Sequence, residues 1–271
     1  MPLSQKVTYG TFIIFLCVLT LAGSKHIYPV EASSPATAFP SRPTLERARE
    51  VLSGYHLDPR LIIESREITE QVLGKDPQNI EALNFLSRVL LTQGYVLERT
   101  KDAKIATYEK GKEVAKRAVE LAPDNPDAHF FYVSNLALAG QTRGVLNSLF
   151  MLPEIRREVD LILELDPNHA YGLGMQGALY YYLPSLLGGD LKISELYLRR
   201  SLSVNPHLSS TRLYLAMNLM KQEKYDEAAV ELITLTNDSE PEFYPDWYLN
   251  RKFALALLKD IKRMRNRKSE K

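Results

Sequence analysis

Gly172, Gly174 and Gly177 reproduce the G-x-G-x-x-G spacing that lets a backbone approach a dinucleotide pyrophosphate. That chemistry needs a strand before the first glycine and a helix N-terminus at the glycines. Here the three glycines fall inside a stretch with helical periodicity, so they read as close-packing residues of a helix. Gly188-Gly189-Asp190 lacks the Lys-Ser/Thr of a phosphate loop and reads as a turn followed by a helix N-cap. The five histidines are scattered. His129 falls on a core-facing position, and His169 and His207 follow prolines and are expected to be solvated loop residues. No H-E-x-x-H or G-x-S-x-G spacing occurs, so neither a metal site nor a serine nucleophile is expected. The only cysteine, Cys17, lies in an apolar N-terminal run. These residues point to a binding protein that is not an enzyme and carries no cofactor and no metal.

The elements that would position such residues are repeats. Pro77, Pro123, Pro167 and Pro206 each end one helix-like segment and precede another, and they stand 46, 44 and 39 residues apart. A helix pair repeating about every 34 residues accounts for that spacing if inserts interrupt it. Aligned on the prolines, the segments match the tetratricopeptide (TPR) pattern, with Gly177, Ala216, Ala118 and Ala228 where antiparallel helices approach closely and Leu86, Tyr132, Tyr180, Leu215 and Leu219 filling the space between pairs. Leu45 to Tyr55 and Arg60 to Gly74 form a degenerate first pair. Asp246 to about Arg265 forms a final capping helix, with Asp246 as N-cap. Sustained period-two alternation is absent. The fold class is therefore all-α: a TPR-like α-solenoid of antiparallel helix pairs with apolar inserts and a C-terminal capping helix.

The frame puts Asn84, Arg88, Phe130, Ser134, Tyr181, Leu213 and Met217 on the inner face of the solenoid, with Met220 beside them. Arg143 and Asn147 border this face from the first insert, Gln141 to Phe150. The second insert is Ser185 to Gly189. Both inserts are too apolar for solvated loops and are expected to fold back on the solenoid or cover a pocket. The inner face, aromatic and methionine-rich, is the expected binding surface for a partner protein or an apolar small molecule.

Lys and Arg total 34 against 33 Asp and Glu in 271 residues, a net charge of +1 that gives no case for nucleic acid. Residues 1–32, with Lys6 before an apolar run from Thr11 to Gly23, read as a signal peptide or uncleaved signal anchor. Residues 33–43 read as a flexible linker, 44–266 as the helical repeat domain and 267–271 as a basic tail. Export to the periplasm or cell envelope is expected. Cleavage would leave a chain with no cysteine, and so no disulfide.

Thr142 to Leu149, Leu152-Pro153-Glu154-Ile155 and the Leu-Pro-x-Leu-Leu-Gly-Gly-Asp run Leu183 to Asp190 resemble the T component (TatT) family of tripartite ATP-independent periplasmic (TRAP) transporters, over roughly residues 76–236. The resemblance implies an exported TPR-like subunit that associates with a periplasmic solute-binding protein and can assemble as a trimer around an apolar cavity. The lipid-modified cysteine of some members has no counterpart here. A helix-pair arrangement with a Gly-Gly insert is also similar to the regulator of microtubule dynamics family, a weaker match on the prokaryote-like signal segment. A general envelope scaffold and, with no supporting residues, an envelope hydrolase are the alternatives.

Overall fold

The repeat prolines act first on their neighbours. Asp76, Ala122, Asp166 and Asn205, each preceding a proline, leave the helical region with ψ between 77° and 101°, because the proline ring disfavours helical geometry one residue earlier. Two or three residues later a new helix is capped. Asn79 accepts from Ala82 N at 2.9 Å and Asn125 from Ala128 N at 3.0 Å. Each satisfies an amide that the first turn leaves without an intrahelical partner.

In the computed structural model, which describes residues 43–269, these signals produce eleven α-helices and no strand among the described residues. They are α1 (Leu45–Leu52), α2 (Leu61–Lys75), α3 (Ile80–Val96), α4 (Lys101–Leu121), α5 (Pro126–Arg143), α6 (Val145–Leu165), α7 (Ala170–Tyr182), α8 (Leu191–Val204), α9 (Ser209–Lys221), α10 (Tyr225–Thr236) and α11 (Tyr244–Ser269), with a 3-10 turn at Ser185–Leu187 before α8. Successive helices pack as antiparallel pairs. The first helices of the pairs also touch across repeats, α3 with α5, α7 with α9, and α9 with α11. The result is the expected TPR-like α-solenoid. None of these helices is long and apolar enough to cross a membrane. The expected signal segment, and the linker as far as residue 42, lie outside the described residues.

Close crossings hold the pairs together. A Cβ on Gly177 would lie 2.6 Å from Leu198 Cγ, so only glycine lets α7 meet α8 there. One core runs from Val133 of α5 to Ile261 of α11, and a second joins Ala48, Leu52, Tyr55, Ile62, Phe85 and Val89 at the N-terminal end.

The structure corrects three local expectations. The first insert is no loop: α5 continues through Arg143, Gly144 turns the chain at φ 122°, and α6 starts at once. Pro153 lies inside α6 without ending it, its ring exposed. The last helix starts at Tyr244, before the expected Asp246, because Pro245 fits a first turn whose amides have no intrahelical partner anyway. His169 is not a solvated loop residue. It is buried, and its Nδ1 caps α7 by accepting from Gly172 N at 2.9 Å while Nε2 lies 3.0 Å from Asp127 Oδ1.

Candidate functional site

The inner-face residues do not line an open groove. Leu213 is 1% exposed, and Met217 packs against the main core, which α11 joins through Ala254 and Ile261, with Phe253 and Leu257 packed beside them. Tyr181 is buried, its ring edge-on to Tyr182 and covered by Lys221 Nζ at 3.7 Å. Asn84 and Ser134 are buried, and Asn84 Nδ2 reaches Asn125 Oδ1 at 3.5 Å. Phe130 packs in a cluster with Phe131, His169 and Tyr171. Burial pushes the Tyr171 hydroxyl up to about 12, with Arg88, Glu242 and Asp246 among the charges around it.

That neighbourhood marks where the chain closes on itself. The start of α11 lies against the N-terminal helices, where Tyr55 and Tyr95 both donate to Asp246 Oδ1, at 2.5 and 3.0 Å. Arg88 stands 3.9 Å from Asp246 Oδ2, and its guanidinium lies 4.3 Å above the Phe243 ring. Phe243 and Leu249 pack on the N-terminal cluster, and His56 meets Tyr244 edge-on and Tyr248 at a tilt. Burial, with the Asp246 carboxylate beside them, pushes both tyrosine hydroxyls up, so they stay protonated donors. Of the expected site residues, Arg88 alone takes part in this clasp. Tyr55, Tyr95, Phe243 and Asp246 were not expected. One signal for them exists in the sequence, since four of the six residues from Phe243 to Tyr248 are aromatic.

The inserts behave in the opposite way. They do not cover a pocket: Leu146 is 70% exposed, Phe150 83% and Leu186 96%. Leu146 and Phe150 sit four residues apart on one face of α6, with Asn147 exposed between them. Arg143, at the end of α5, is tied to Glu109 at 2.6 Å. Leu187 turns inward onto the main core, and its carbonyl accepts from Arg156 of α6. Both inserts join the first helix of a pair to the second, so these side chains share one end of the stack.

One buried ion pair has the composition of an acid–base couple. His129 Nδ1 lies 2.7 Å from Glu158 Oε2, and His129 Nε2 lies 2.9 Å from the Pro123 carbonyl oxygen. Both partners can only accept, so both ring nitrogens donate and the imidazole is held as a cation. The hydrogen bond to Glu158 raises the His129 pKa and lowers that of Glu158. With both nitrogens engaged, the pair locks α5 to α6 and has no free nitrogen to take a proton from a substrate.

Stacked antiparallel pairs and small residues at the crossings define a TPR-like α-solenoid. The family model described as regulator of microtubule dynamics protein 1-3 matches residues 44–186, and the chain belongs to that family. The prokaryote-like signal segment ranks this family second to the transporter T component; the family match over residues 44–186 places the chain in it. Among solved structures, a thermophilic TPR protein of Thermus thermophilus is 18% identical, with a TM-score of 0.59 over 79% of this chain and 100% of that one. The MamA RS-1 ArsTM double mutant is 12% identical, with a TM-score of 0.40 over 70% of this chain and 90% of that one. A search of curated proteins returned no match.

Proposed function

We propose that the protein is a non-catalytic scaffold that binds a protein partner at the insert end of its solenoid, through Leu146 and Phe150 of α6 and Leu186, with Asn147 and Arg143 as the polar border. The observation that carries this reading is the exposure of three large apolar side chains at one end of the stack. Apolar surface left in water costs about 25 cal/mol per Å², and apolar patches rimmed by polar residues are typical of interaction sites. The family description directs the partner search to proteins that form microtubules or act on them. Co-sedimentation with polymerised microtubules tests it. Wild type should pellet with the polymer, and Leu146→Ala/Phe150→Ala should stay in the supernatant at unchanged helical content. Equal pelleting of both, or of neither, defeats this assignment.

A second reading keeps the T-component role. It is supported by the Thr142–Leu149 and Leu183–Asp190 motifs and by the apolar run Thr11–Gly23. In it the exported or membrane-anchored chain holds a periplasmic solute-binding protein at the same end, as a trimer with an apolar ligand on its inner face. The discriminating experiment is titration of the double variant and wild type with a purified TRAP solute-binding protein. Binding that depends on Phe150 favours this reading over the microtubule one.

A further inference from the structure

The Asp246 clasp joins residues 191 positions apart in sequence, yet it is made by one short segment. The carboxylate is held by two buried hydroxyls and faces a guanidinium, and Phe243 enters beneath that guanidinium to reach an apolar floor of Tyr55, Phe85 and Val89. Such a cleft reads two features three residues apart on an extended-to-helical segment: an aromatic ring, then a carboxylate. It remains partly open to solvent, with the Asp246 side chain 38% exposed and that of Arg88 29% exposed. The residues just before the occupying segment are bonded to the neighbouring repeat through Asn205 Nδ2 to Glu242 and His207 to Asp238. Those bonds hold the segment near the cleft without filling it.

We infer that the cleft formed by Tyr55, Arg88 and Tyr95 is a recognition site for an aromatic–acidic peptide segment of a partner protein, and that residues Phe243 to Asp246 of the chain occupy it at rest as a displaceable latch, while Trp247 anchors the helix that follows by donating to the Leu235 carbonyl at 2.7 Å. The kind of occupant is read from the segment already seated there. Hydroxyl and guanidinium donors converging on one carboxylate select an acidic residue, and the apolar floor under a stacked cation selects an aromatic one. A tethered occupant competes at an effective concentration of about millimolar, so an external segment binds with an affinity reduced by the fraction of time the latch is open. The site does not depend on the apolar insert end, and each can fail alone.

The test uses the full chain and a fluorescein-labelled peptide with the sequence of residues 240–250, followed by anisotropy. The Phe243→Ala/Asp246→Ala variant should bind the peptide at least tenfold more tightly than wild type does. Adding Arg88→Ala should abolish the gain, as should a peptide carrying Ala in place of Asp246. Asp246→Asn leaves Phe243 packed and guards against a variant that fails to fold; its affinity should fall between the two. Absence of binding to both latch variants overturns the site. Equal binding to wild type and variants overturns the latch, and binding that survives Arg88→Ala overturns the assigned recognition. Leu146→Ala/Phe150→Ala should leave all these affinities unchanged.

Discussion

The inner face and the insert end carry the same sequence signal, apolar and aromatic side chains where a solenoid meets water, and they end in opposite states. On the inner face Leu213 is 1% exposed and Tyr181 7%: Leu213 lies in the core that α11 joins, and Tyr181 is covered by Tyr182, Tyr214 and Lys221. At the insert end Phe150 is 83% exposed and Leu186 96%, because among the described residues no element returns to cover them. Position in the repeat frame therefore tells which surface a side chain faces. Whether that surface is core or contact depends on what the rest of the fold brings against it.

The comparison breaks most readily at Leu213. If the inner face is core, Leu213→Ala should lower stability by about 2–5 kcal/mol, as deletion of a buried leucine usually does. Chemical denaturation measures this, and a loss under about 0.5 kcal/mol would return the inner face to the status of an open surface. Gly177→Leu should cost about 3 kcal/mol, since the new side chain must displace Leu198 where α7 meets α8. A thermal melt measures it, and adding a dinucleotide should not change the result.

Smaller still is the contribution of the His129–Glu158 lock, about 1.5–3 kcal/mol at pH 6 for a buried charge-assisted hydrogen bond. The folded-state pKa of His129 is raised, so its contribution is fully present below the unfolded value and is lost as pH rises through the folded value. That of Glu158 is lowered, so its contribution is present above the unfolded value and is lost as pH falls through the folded one. The stability gap between wild type and His129→Gln should therefore narrow as pH rises above neutrality. A gap that stays constant to pH 9 would show that the pair contributes shape alone. The smallest effect belongs to the insert end: Phe150→Ala should change stability by no more than about 0.5 kcal/mol. A larger loss would mean that Phe150 is packed against something and would erase the contrast with Leu213.

Much of the fold was legible because its signals are local. Pro77, Pro123, Pro167 and Pro206 mark helix ends through backbone sterics alone, and Asn79, Asn125 and Asp190 cap the next helices through hydrogen bonds that span two or three residues. The inserts misled because apolar composition says that a segment avoids water without saying where it goes. Gly144, at φ 122°, turned the chain in a single residue, so the first insert became the end of α5 and the start of α6, which left Leu146 and Phe150 outside. The clasp could not be read from spacing, since the acceptor Asp246 and its donors Tyr55 and Tyr95 belong to opposite ends of the chain.

The sequence by itself determined the helices, their pairing and the small residues at their crossings, because capping, proline sterics and a helical apolar period act within one or two turns. Only the tertiary structure decided which faces are contacts. The curvature of the stack sums small rotations over five pairs, and that sum brings α11 back onto the N-terminal cluster while leaving the insert end bare.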